Sequence, residues 1–205
     1  MKKYILMLSI AGLGLSVMAK GPVKKNTEES FKVDAAASTF KWHATKVTGE
    51  HFGVVKYNNG TVKFNGSSLN GSEIVMDMTS IDATDLTGEY HDKLVGHLKS
   101  EDFFSVEKNK TSILKVKSST PIKGAAAGTN NYDIVADMII KGISNEVKFP
   151  AIVVATKGQV VINADFDINR TLYDIKYGSK TFFDGIGDKA ISDNFNVKVR
   201  VVANK

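Results

Sequence analysis

The segment EYHDKLVGHLKSEDFF, Glu89 to Phe104, gathers two of the chain's four histidines among several carboxylates. His91 beside Asp92, or His97 with Asp102, could serve as the base half of a relay that activates a hydroxyl. The nucleophile half is missing. There is no Gly-x-Ser-x-Gly elbow, and no serine stands in a recognisable nucleophile context. Metal binding fares no better. The spacing matches no His-Glu-x-x-His signature, and positions six apart do not share a helix face at 3.6 residues per turn. His43 and His51 could join such a site only through the fold. The chain has no cysteine, which removes thiol chemistry and thiolate ligation. KGAAAG (Lys123 to Gly128) lacks the Lys-Ser or Lys-Thr of a phosphate loop.

The elements that must position these residues are almost all strands. FKWHATK sets Phe40, Trp42 and Ala44 against Lys41, His43 and Thr45, the period-two pattern of a half-buried strand. HFGVVKYNNGTVKF reads as two strand pieces with Asn58-Asn59-Gly60 at a turn. Ile74, Met76 and Met78 share a face. Tyr132 to Ile140, Ile162 to Ile168, and Phe195 to Val201 alternate in the same way. About eight strands, each with one apolar face and short connections, predict an antiparallel sheet. Curling into a barrel hides the dry face; a two-sheet sandwich fits the same pattern. An eight-stranded barrel is either filled by side chains or holds one small ligand. Two regions break the pattern. In Asp82 to Lys110, Tyr90, Leu94 and Leu98 form a helical stripe. Asn169 to Ala190 is an aromatic, glycine-rich loop, better suited to a cover or binding element than to an idle connection.

The first nineteen residues stand apart. Lys2 and Lys3 precede the apolar run YILMLSIAGLGLSVMA, with small Val17 and Ala19 placed for cleavage after Ala19. This predicts a secretory signal peptide over 1–19. The run is too short for the roughly 20 residues of a spanning helix, so stable membrane insertion is not expected. Residues 20–30 read as a flexible lead-in and 31–205 as one domain. No cysteine follows the cut for a lipid anchor. The formal charge of +5 is mild and its lysines are scattered, which argues against nucleic acid as a partner.

What remains is an apolar surplus on the strand faces. Trp42, Val54, Phe64, Ile74, Met76, Met78, Ile134, Met138, Ile140, Phe149, Phe166, Ile168 and Phe195 suit either a filled core or the lining of a cavity. Methionines favour adaptable apolar spaces, and small inward residues such as Ala44, Ala136 and Ala164 leave room.

Five pieces in register along the chain resemble the YceI-like family of exported bacterial proteins. STFKWHATKVTGEHFGVVKYNNGTVKF resembles its opening Trp-strand and His-x-Gly turn, and HLKSEDFFSVEK its most recognisable segment. ADMIIKGISNEVKFP is similar to its Lys-Gly-hydroxyl strand pair. NRTLYDIKYG resembles its Arg-led aromatic loop, and ISDNFNVKVRV its closing strand. The chain departs from the family at NKTSIL, where an aromatic-Pro pair usually opens the next strand. The resemblance spans about Phe31 to Ala203. It implies a lipocalin-like eight-stranded barrel in the periplasm, or secreted, that holds a long apolar chain such as an isoprenoid or quinone-like lipid. It implies no other cofactor and no metal. On this reading the strand residues above line a tunnel, and Leu98, Phe103 and Phe104 form a lid touching the ligand. Arg170, Tyr173, Tyr177, Lys176 and Asp193 are candidates for the mouth and a polar head group. The alternative is an enzyme acting on such a lipid with a base from the His91 or His97 region. The sequence leaves the oligomeric state open, a homodimer included.

Overall fold

The computed structural model describes residues 27–205. The expected signal peptide, and the lead-in up to residue 26, lie outside the described residues. The remainder of the lead-in is shorter than expected, because β1 (Glu29–Val33) already opens at Glu29. It is followed by β2 (Thr39–Lys46), β3 (Gly49–Phe64) and β4 (Glu73–Ala83). Helix α1 (Gly88–Lys99) separates β4 from β5 (Thr111–Pro121). Then come β6 (Tyr132–Ile140), β7 (Ile143–Ala155), β8 (Gln159–Asn169) and β9 (Ile191–Asn204). All pairings are antiparallel, and β3–β4 pairing closes the sheet on itself.

Nine strands make an eight-stranded barrel because β1 and β2 share one place in it. β2 pairs β3 over Gly49 to Val55 and β9 over Ile191 to Arg200. β1 takes the far end of the same two neighbours, with Phe31 opposite Val62 and Val33 opposite Ala203. Between them Asp34 Oδ1 accepts the backbone N–H groups of Ala36 and Ala37, an Asx-type turn that jogs the chain without leaving the wall.

β3 has to follow these two successive partners, and this overturns the expected turn at Asn58-Asn59-Gly60. The segment is one 16-residue strand, with the register against β4 shifting between Tyr57 and Asn59. The asparagines sit in a bulge, which accentuates the twist a closed barrel needs. Gly60 is there for close approach: a Cβ would lie 2.8 Å from Val33 Cγ2 and 2.9 Å from the Glu73 carbonyl oxygen. A second irregularity in β4, held by Ser80 Oγ accepting from Lys56 N and donating to Asp77 O, switches the inward parity. Ile74, Met76 and Met78 point inward before it, Ile81 and Ala83 after it. The NKTSIL departure does not disturb the wall. β5 begins at Thr111, opposite Asp77, and Met78 N donates to Lys110 O just before it.

The two ends of the barrel differ. At the β7–β8 turn end, Phe31, Val62, Leu69, Val160 and Ala203 are almost wholly buried and seal the floor. At the opposite end β4 runs into α1, and the loop 170–190 connects β8 to β9. Helix α1 lays Leu94, Val95 and Leu98 onto the core. Tyr90, expected on the same stripe, is 75% exposed. It sits in the first turn of the helix.

Candidate binding cavity

The alternating faces enclose two apolar cavities stacked along the barrel. The upper lies under α1 and the 170–190 loop. The lower reaches down to Leu69. Phe40, Met76, Met138 and Ile168 border both and form a waist between them. On β9 the lining runs from Ile191 to Val201. Ten residues of strand span about 34 Å, or roughly 26 Å along the axis of a barrel whose strands tilt by about 40°. The apolar lining is therefore long and narrow, pinched at the waist.

Most of the expected lining residues face this bore. Trp42, Met78, Leu98, Phe103, Phe104, Ile140 and Phe195 border the upper part. Ile74, Ile134, Phe149 and Phe166 border the lower part, where the two phenylalanine rings stack at 4.0 Å between centroids. Val54 and Phe64 do not line it. In β3 the inward set is Gly53, Val55 and Tyr57, so Val54 points outward. The reason is Trp42, whose indole packs directly over Gly53: a Cβ there would meet its ring atoms at 2.7 Å. Trp42 Nε1 also donates to Asp82 O. Gly53 must therefore face in, and Val54 is turned out by alternation. Phe64 is half-buried at the floor, packed on the core beyond the end of the bore.

The HLKSEDFF segment builds the lid. Ser100 ends α1, and the chain wraps back through Ser105 in the left-handed region (φ 46°). Ser105 N donates to Ser100 O and Phe104 N to Leu98 O. This return tucks Phe103 and Phe104 under the end of the helix and into the upper cavity. His97 lies above them, its ring edge-on to Phe103 at 4.9 Å and to Tyr177 at 4.5 Å.

Of the mouth candidates, Arg170 is the one that borders the cavity. It is 4% exposed and its donors are already engaged. Nε donates to Ser192 O, Nη1 to Ile175 O and Tyr177 O, and Nη2 to Ile191 O. Asp193 Oδ1 lies 3.5 Å from Nη2, and Oδ2 accepts from Thr181 Oγ1. The guanidinium thus staples both ends of the 170–190 loop across the mouth, with its face 5.9 Å from the Phe103 ring. Tyr173 is fully buried outside the lining, its hydroxyl without a partner and pushed up to about pKa 12 by burial. Tyr177 is half-exposed on the lid. Lys176 pairs with Asp174 at 2.7 Å on the outer surface. Besides Arg170, the polar residues on the lining are Tyr57, whose hydroxyl donates to Thr39 O at 3.4 Å, and Ser72, Ser112 and Ser192.

A YceI-like domain model matches residues 31–203, nearly all of the described chain. The chain belongs to the YceI-like family. No curated protein sequence matches it, but solved structures do. BcnA of Burkholderia cenocepacia aligns with a TM-score of 0.56 at 18% identity, over 84% of this chain and 99% of its own. A polyisoprenoid-binding domain from Saccharophagus degradans, implicated in plant cell wall breakdown, aligns with a TM-score of 0.58 at 15% identity, over 85% and 97%. At such identities these neighbours establish the lipocalin-like barrel and nothing finer.

In this YceI-like barrel none of the four histidines borders either cavity. His91 lies outside, between Asp82 at 2.7 Å and Asp92 at 2.9 Å. Hydrogen bonds that it donates first to Asp92 and then to Asp82 raise its pKa. His51 Nδ1 pairs with Asp85 Oδ2 at 2.7 Å, and His43 pairs with Glu50. Among the described residues no group of three or more His, Asp or Glu could hold a metal ion. The sequence reading missed Val55 and Tyr57, through the two adjacent valines, and Leu69 in the β3–β4 connection. Leu69 is the lone apolar residue of NGSSLNGS, and its N–H is held by Ser119 Oγ at 2.7 Å. An isolated leucine in such a run was the available signal.

Proposed function

We propose that the chain is a non-enzymatic, exported carrier of a long apolar lipid, an isoprenoid or quinone-like chain, held inside the barrel without any other cofactor. The observation that carries this reading is the bore itself. It is long, narrow and apolar, and its one buried charge is spent on backbone carbonyls. Burying a lipid tail there gains about 0.8 kcal/mol per methylene. With so few polar partners, the site selects by length and girth more than by head group. A chain lying in it needs no base. The four histidines stand outside the cavity, so catalysis by His91 or His97 finds no support in this geometry. Export rests on the leader over 1–19 and on the family.

Native mass spectrometry of the full chain expressed with its leader, and recovered from the periplasm, tests this directly. The expected result is an adduct that organic extraction identifies as a single-tailed apolar lipid. A barrel that emerges empty, and takes up neither polyprenol nor quinone from detergent, refutes the carrier function. Replacing all four histidines should leave the adduct in place.

A further inference from the structure

The exposed large apolar side chains are not spread over the barrel. Among the described residues they are Val47, Phe52, Tyr90, Ile143, Val154, Leu172, Tyr177, Phe182 and Phe183. All but Val154 belong to segments at the mouth: the β2–β3 turn and the start of β3, α1, the β6–β7 turn, and the 170–190 loop. The floor end has no comparable set. Single exposed apolar residues are ordinary, but concentration at one end marks a contact surface. The most prominent pair is also firmly presented. Phe182 and Phe183 are about half exposed, yet both their N–H groups donate to Ser179 O, and Ser179 is fully buried. Thr181, beside them, is tied to Ser179 Oγ and Asp193. Lys176 holds its ammonium 5.2 Å from the Phe182 ring. Lys46, Lys180 and Lys189 are exposed on the same rim.

We propose that this mouth rim docks on a lipid bilayer surface, with Phe182 and Phe183 entering the interface. Aromatic rings flanked by lysines are the combination that settles at the headgroup level: the rings enter the acyl boundary, and the ammonium groups stay among the phosphates. Asp174, which pairs with Lys176, and Asp184 and Asp188 on the same loop balance its exposed lysines. Apolar insertion therefore carries the binding. Geometry also favours a bilayer over other occupants, since the patch rings the lidded end of the bore and docking sets that opening against lipid. The inference shares the mouth with the carrier function proposed above, but the rim can dock whether or not the bore is loaded.

Flotation of the full mature chain tests it, using phosphatidylcholine vesicles with and without one quarter phosphatidylglycerol. The chain should co-float with both. A Phe182→Ser/Phe183→Ser double variant should lose at least tenfold in binding while keeping its Tm and its lipid adduct by native mass spectrometry. Phe182→Trp should keep the wild-type binding, with a blue-shifted emission on vesicles that is quenched by brominated lipid. The native Trp42 is buried in the barrel and leaves only a constant background. Failure of the wild type to float, or equal flotation of the double variant, overturns the proposal. If light scattering instead shows a dimer that the double variant dissolves, a second copy covers the patch and the bilayer proposal also falls. Loss of flotation with an adduct present removes docking alone. Flotation without an adduct removes the carrier function alone.

Discussion

Replacing Ala164 with phenylalanine separates an open bore from a filled core. Ala164 is 6% exposed on the inner face of β8, opposite Ala151 and Val199, and borders the lower cavity beside the Phe149–Phe166 stack. If the interior were closely packed, an extra ring would cost about 1–3 kcal/mol or more. A bore open enough to pass a lipid tail at this point also admits the ring, so the Tm should then move by no more than about 3 °C, the shift for ~1 kcal/mol in a chain of this size. The effect should instead fall on the ligand. Closing the lower compartment to only five methylenes of a bound chain forfeits about 4 kcal/mol, close to a thousandfold in Kd. A short isoprenoid that fits in the upper compartment should be untouched. The assay is competition binding with farnesol and decaprenol, measured on wild type, Ala164→Phe and the outward-facing control Val161→Phe. Loss confined to the long chain in Ala164→Phe is the expected outcome. Equal loss for both lengths, or a large fall in Tm, would refute the reasoning, because the space would then not be a continuous tail channel.

Other perturbations probe the scaffold. Arg170→Met leaves four backbone carbonyls across the mouth without their donor. With each orphaned buried group costing about 1–3 kcal/mol, the loop should open to trypsin at Lys176 and Lys180, read as faster cleavage with the barrel core intact. Gly53→Ala drives a Cβ to 1.9 Å from Asp82 O and into the Trp42 ring; a loss of about 3 kcal/mol, and hence at least ~6 °C in Tm, is expected by thermal melt. His91, its pKa raised by Asp92 and Asp82, stabilises the attachment of α1 fully below the ordinary value of 6.5, and this contribution fades as pH rises through the raised value. Hydrogen exchange in α1 should therefore differ between wild type and His91→Gln at pH 6 and converge by pH 9.

The barrel was legible because period-two alternation survives wherever one neighbour lies on each side of a strand, as in β8, whose registers against β7 and β9 are unbroken. It failed where a strand serves several partners. In β3 the expected turn at Asn58-Asn59-Gly60 is a bulge, because one strand must pair β2, then β1, and β4 throughout. Two adjacent valines cannot announce which faces in. That choice is made by Gly53 yielding space to Trp42, a long-range contact with no local trace. Tyr90 shows the limit of the helical pattern: its period is right, yet in the first turn of α1 it is left exposed.

The mouth was the least legible part, for a physical reason. An arginine in an aromatic loop offers the same signal whether it waits for a head group or binds the loop to itself, since guanidinium geometry suits carboxylates, phosphates and carbonyls alike. What decides is the count of nearby carbonyls. Here four of them converge, from Ile175 and Tyr177 on one side of the loop and Ile191 and Ser192 on the other. The arginine then fixes the loop that carries Tyr177, and Tyr177 in turn meets His97 and Phe103 of the lid. The acid–base capacity of HLKSEDFF is thereby absorbed into architecture. His97 serves as a flat aromatic spacer between two rings, and the phenylalanines beneath it close an apolar bore that has no buried charge free to select a head group. On the proposed carrier function, cargo length should therefore govern what this barrel holds, and the lid how fast it is exchanged.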